Sequence, residues 1–127
     1  MAAHDEGSIT LDLVIALLAV NRWTLDRAFG IADGLKRERF TNAATVAALP
    51  ESEIAVRLAE AGYTRGSFME SMLARRIKRA ADVLANGGLR RIADLEHAGK
   101  VDEVREFLLT LEGVEPEVAR NFLALRS

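Results

Sequence analysis

The apolar positions along this chain recur with the helical period and nowhere alternate over the length of a strand. Leu11, Val14, Leu17 and Leu18 make the first stripe, with Thr10 placed to cap the helix start. Thr24 is placed to cap a second helix through Ala28, Phe29, Ala32 and Leu35 toward Lys36. Asn42 to Leu49 predicts a short third helix, stopped by Pro50 because the residue before a proline avoids helical geometry. Glu51 to Ala61 predicts a fourth, with Ile54, Leu58 and Ala61 on one face and Gly62 as its stop. The fifth is the longest. Thr64 or Ser67 caps it, and Met69, Met72, Leu73, Ile77, Ala80 and Leu84 form its buried stripe. Arg75, Lys78, Arg79 and Asp82 take the other side, Lys78 and Asp82 being i, i+4 neighbours.

Asn86-Gly87-Gly88 ends that helix, and Leu89 to Ala98 predicts a sixth, closed by Gly99. Val101, Val104, Leu108 and Leu111 mark a seventh, and Glu112 to Glu115 a tight turn. An eighth helix opens with Pro116 at its first position, where the missing N–H costs no hydrogen bond, and turns Val118, Ala119, Phe122 and Leu123 inward. Connections are short, and no period of 20–50 residues suggests a solenoid. The expected fold is all-α: a compact multi-helix domain over 10–127, with 1–9 a frayed N-terminal lead.

Composition narrows the functions available. At 127 residues the chain has the size of one domain, and 50% hydrophobic against 28% charged residues is a globular balance. It holds no cysteine, which excludes disulfides, thiolate zinc sites, iron–sulfur clusters and thiol nucleophiles. The longest apolar run, Leu13 to Val20, falls well short of the roughly 20 residues that cross a bilayer. The start, Met-Ala-Ala-His-Asp-Glu, lacks the basic opening of a signal peptide, so a cytoplasmic protein without membrane contact is expected.

Net charge is −2, but it is unevenly spread. Residues 1–64 carry −3, residues 65–93 carry +5, and residues 94–127 carry −4. The basic middle is either a solvated helix face or a surface for phosphates. Other chemistry is thin. His4 and His97 are not at metal-ligand spacing, Gly87-Gly88 is a helix stop, and the serines have no histidine partner in a recognisable context. Glu103 and Glu106 lack the histidine of a di-metal bundle, so no metal and no cofactor are expected. Trp23 suits core or rim packing, or stacking on a base.

The informative stretch is Phe107 to Leu125, where Leu111-Glu112-Gly113-Val114-Glu115-Pro116 joins two helices and Ala119 follows at their contact. This pattern resembles a helix-hairpin-helix. Gly113 supplies positive φ, while Leu111 and Val114 plug the joint. In that motif the open N–H groups of the second helix receive a DNA phosphate. Leu17 to Thr24 resembles the opening helix and turn of the HhH-GPD superfamily of base-excision DNA glycosylases, the endonuclease III relatives. Asn21 matches the place of a polar amide that reaches into the duplex there. Ala61 to Phe68 resembles the family's Gly-hydrophobic-x-x-x-Lys-Ala segment, without its basic residue and with Phe68 or Met69 near its alanine. The likeness runs from Leu11 onward in the family's order, and it implies the helical-barrel half of the HhH-GPD fold.

The departures bear on activity. Glu115 replaces the second glycine of the family's Gly-Val-Gly, and is placed to cap the helix start in place of an anion. Glu117 stands where bifunctional members carry the Schiff-base lysine, and a carboxylate cannot do that chemistry. The family's catalytic aspartate lies in a segment that would follow Ser127. The expectation is therefore a non-catalytic, vestigial glycosylase-like module that binds double-stranded DNA weakly or serves beside a repair protein. Its DNA-binding candidates are Asn21, Arg22, Arg75, Lys78, Arg79, Gly113, Val114 and Glu115. The alternative is a helical protein–protein adaptor that has lost DNA binding. A third reading keeps glycosylase activity with Glu115 or Glu117 as general base. Basic residues Arg75, Lys78, Arg79, Arg90 and Arg91 sharing one surface with the hairpin favour DNA; scatter, or pairing with acids, favours the adaptor.

Overall fold

The computed structural model describes residues 6–127, and every regular element among them is helical. In chain order these are α1 (Glu6–Leu18), α2 (Leu25–Phe29), α3 (Ala32–Arg37), α4 (Ala43–Ala48), α5 (Glu51–Ala61) and α6 (Ser67–Val83). A kink at Leu84–Gly88, where Asn86 and Gly87 leave helical geometry, leads into α7 (Leu89–His97), α8 (Val101–Leu109) and α9 (Pro116–Arg126).

α1 is the axis of the molecule. Ile9, Ile15, Ala16 and Leu18 are wholly buried, and Leu13, Val14 and Leu17 nearly so, because α2, α3, α6, α7 and α9 all pack around it. A helix apolar on every side belongs inside a domain. Its described part begins at Glu6, five residues before the Leu11 start that the sequence suggests. Thr10 does not cap it; its hydroxyl is buried and donates to the Glu6 carbonyl at 2.9 Å, a bond back into the preceding turn. The lead expected over 1–9 is thus helical from Glu6 onward, while its first five residues, His4 included, lie outside the described residues.

Thr24 does cap α2, its Oγ1 accepting from Arg27 N–H at 3.1 Å. The single second helix expected through Leu35 is broken at Gly30–Ile31 into α2 and α3. The position of α3 is tied to the core. Gly34 sits so close to the end of α5 that a Cβ there would lie 2.1 Å from the Ala61 carbonyl oxygen, so only a residue without a side chain fits where α3 meets that backbone. Asn42 caps α4, accepting from Thr45 N–H at 3.0 Å, and α5 ends on Gly62 at φ 118°, with Tyr63 N–H donating to Leu58 O. α6 begins after Gly66, with neither Thr64 nor Ser67 as its cap. Of its predicted stripe, Leu73, Ile77, Ala80 and Leu84 are buried, while Met69 and Met72 are half-buried at its N-terminal end.

α9 closes the bundle against α1 and α8. Leu108, Leu111, Val114, Val118, Ala119 and Phe122 are all buried at this joint, as the hairpin pattern requires. Asn121 donates to the Ala19 carbonyl at 3.2 Å, tying α9 to the end of α1. Further along, Arg126 donates to Asp12 Oδ2 at 2.9 Å and Glu96 Oε1 at 2.8 Å, joining α1, α7 and α9 with its side chain only 8% exposed.

Candidate nucleic-acid interface

Directly after α1 the chain makes a turn that side-chain sterics disfavour. Asn21 and Arg22 are consecutive non-glycine residues with positive φ, 53° and 79°. Asparagine tolerates that region better than most; arginine does not. Such a turn persists only when its surroundings over-determine it. Arg65 supplies much of that constraint. Its guanidinium donates to the carbonyls of Val20, at 2.7 Å, and of Asn21, and lies 5.9 Å from the centre of the Trp23 ring. Trp23 in turn meets Tyr63 edge-on, with ring centres 4.8 Å apart. Trp23 is therefore a half-buried packing residue. Tyr63 is fully enclosed, and burial raises the pKa of its phenol against a smaller opposing effect of Arg65. The side chains of Asn21 and Arg22 face solvent.

From this turn the surface runs onto the first half of α6. Asn21 Nδ2 points at Met69 Sδ, 4.0 Å away. One turn further begins a groove of about 560 Å³ bounded by Glu51 at the start of α5, by Phe68, Met72, Arg75, Arg76 and Arg79 on α6, and by Glu112 and Gly113 in the hairpin turn. Phe68 is 77% exposed. Arg75 pairs with Glu51 at 3.6 Å, and Arg79 pairs with Glu112. The stem of Arg76 runs beside Gly113, whose φ is 86°, so close that a Cβ on the glycine would lie 3.0 Å from Arg76 Cγ.

The candidates divide on this geometry. Arg75, Arg79 and Gly113 line one groove, Asn21 reaches the start of α6 through Met69, and Arg22 is exposed beside Asn21. Lys78 borders an adjoining hollow, but its ammonium donates to the carbonyls of Ala47 and Leu49, both at 2.6 Å, and so caps the end of α4. Its expected partner Asp82 instead accepts from Asn86 at 3.2 Å. A lysine beside free helix-end carbonyls finds stronger partners there than in an exposed carboxylate. Val114 is buried and its N–H donates to Leu111 O, so neither side chain nor amide is open to a ligand. Glu115 precedes α9 in an extended conformation and its side chain makes no capping bond; it projects into solvent. A glutamate at that position is one methylene too long for the short-range geometry that Ser, Thr, Asp and Asn achieve. The first N–H groups of α9 therefore have no side-chain acceptor.

Arg90 and Arg91 lie on α7 and do not line the groove, Arg91 packing over Phe107 at 5.9 Å. Two residues that sequence reasoning passed over matter here: Arg65, which holds the Asn21–Arg22 turn, and Arg76, which abuts Gly113. Arg65 stood next to a recognised segment. Arg76 was hidden by its place beside the apolar stripe of α6. Of the five basic residues, only Arg75 and Arg79 share the groove with the hairpin, and both pair with acids; Lys78, Arg90 and Arg91 lie elsewhere. Among the described residues no group of three His, Cys, Asp or Glu side chains is arranged to hold a metal ion, and no helix is long and apolar enough to cross a membrane. The site offers hydrogen-bond donors and guanidinium groups, which suit anion binding.

No family model, curated protein or solved structure matches this chain.

Proposed function

We propose that this chain is a non-catalytic, DNA glycosylase-like helical module that meets duplex DNA weakly across the surface from Asn21–Arg22 to the α8–α9 turn. One observation carries this reading: the over-determined Asn21–Arg22 turn, the start of α6 and the Gly113 turn adjoin, although they lie up to 92 residues apart in sequence. Rigid presentation of exposed polar side chains beside an uncapped helix start is what backbone-phosphate contact needs. The setting this implies is a cytoplasmic protein acting beside a repair partner.

Affinity is held down by charge. The dipole of α9 offers about half a positive charge, against which Glu112, Glu115 and Glu117 stand within a turn of its start. Binding should therefore be non-specific and fall steeply with salt. The test is a salt-titrated binding measurement on duplex, single-stranded and abasic DNA, with the parent and the Glu115→Gly/Glu117→Lys double variant. The double variant should bind duplex clearly more tightly at low salt. If it stays folded and binds no better, the hairpin does not face DNA. The adaptor reading then takes first place; the pairing of Arg75 with Glu51 and of Arg79 with Glu112 already favours it.

A further inference from the structure

The groove beside the hairpin contains more than the turn itself requires. Arg75, Arg76 and Arg79 project from one stretch of α6 into a single depression, the first and last being neighbours one helical turn apart. Like charges at that spacing repel, and each of the two is countered by an acid from a different element, Glu51 from α5 and Glu112 from the hairpin turn. Arg76, between them, makes no ion pair or hydrogen bond among the described residues; its stem packs against Gly113. Both acids and both paired arginines are about half exposed or more. Ion pairs this exposed contribute little, in contrast to the enclosed cluster around Arg126. They are easily exchanged for a better anion.

We propose that Arg75, Arg76 and Arg79 form a track for the phosphate backbone of nucleic acid, separate from the helix start of α9, and that Glu51 and Glu112 are internal stand-ins for phosphates which DNA must displace. Arg76 makes the first contact because its charge is uncommitted. Arg75 and Arg79 follow as their carboxylates give way, each guanidinium presenting a planar fork that suits phosphate oxygens. The acids thereby set a threshold: the net charge of these five side chains is +1 throughout, but only Arg76 is uncommitted while both pairs are closed, and all three guanidiniums become available to phosphate as the pairs open. This inference rests on the DNA reading above and adds the contact residues and their restraint.

The experiment measures fluorescence anisotropy of labelled duplex DNA against the full chain over a range of salt concentrations. It compares the parent with Glu51→Gln/Glu112→Gln, Arg76→Ala and Arg75→Ala/Arg79→Ala, each checked for an unchanged unfolding midpoint. The glutamine pair should tighten binding severalfold at low salt and steepen the slope of log K against log salt by about 0.9 for each phosphate newly engaged. Arg76→Ala should loosen the parent. If the parent binds duplex DNA but neither the glutamine pair nor the arginine variants change affinity or slope, the track is wrong and the DNA reading survives. If no variant binds DNA, including Glu115→Gly/Glu117→Lys, both fall together. If polyglutamate displaces the duplex at equal concentration of charge, the groove takes carboxylates as readily as phosphates, and an acidic protein segment replaces nucleic acid as its occupant.

Discussion

Gly34 and Asp12 show how much of this molecule turns on single atoms. Alanine usually improves a helix over glycine by about 1 kcal/mol. At Gly34 the added Cβ would meet backbone, which cannot swing aside as a flexible side chain can. Gly34→Ala should therefore destabilise the chain by about 1–3 kcal/mol, seen as a lower midpoint in chemical unfolding. Asp12 is held beside Arg126 in a largely enclosed site, and its pKa lies above the ordinary 3.8 because desolvation outweighs the attraction of the arginine. A carboxyl whose pKa is raised on folding binds more protons in the folded than in the unfolded chain. Its contribution is present in full below 3.8 and is lost as pH rises through the folded-state value. The stability of the parent relative to Asp12→Asn should accordingly fall as pH climbs from 3.8 through that window, then level off. A difference that stays flat with pH would refute this assignment.

Among the elements, the α8–α9 hairpin and the α2–α3 break teach opposite lessons. Leu111 and Phe122 are buried where the sequence pattern places them, since a Gly-Val-x-Pro turn between two amphipathic runs leaves few ways to pack. Alanine at either should cost about 2–5 kcal/mol, measured by denaturant unfolding. Unchanged midpoints would mean that the joint is not packed in solution. Capping at Thr24 and the stop at Gly62 were equally legible, because each is local chemistry. The break at Gly30–Ile31 was not. Gly30 ends α2, but the close seat of Gly34 against Ala61, on a helix about thirty residues away, is tertiary information that the helical period does not carry. The start of α1 was missed for a related reason. Thr10 looks like a cap, but Ile9 beside it is buried by tertiary packing, which extends the helix past it.

At the scale of the whole molecule, the candidate site was legible in its parts and not in its assembly. Asn21, Arg79 and Gly113 stand out by residue type and position; that Arg65 pins the Asn21 turn and that Glu112 closes on Arg79 depends on how distant segments meet. The same arrangement bears on chemistry. Glu117 occupies the place where the resemblance would put an imine-forming lysine, and Lys78 is committed to the carbonyls closing α4. Borohydride treatment with abasic-site DNA should trap no covalent adduct. A robust adduct would reverse the non-catalytic reading and require mapping Lys36, Lys78 and Lys100.

The clasp that Arg126 makes with Asp12 spans 114 residues of sequence. On a ribosome adding roughly 5–20 residues per second, the oiliest helix of the chain emerges on the order of ten seconds before the helix that finally covers it. Until then α1 must shelter against α2, α3, α6 and α7, with the side that α9 covers left open. The contacts that close the core around α1 therefore include some of the longest in sequence, and the Asp12 carboxylate on α1 is the partner that Arg126 of α9 meets.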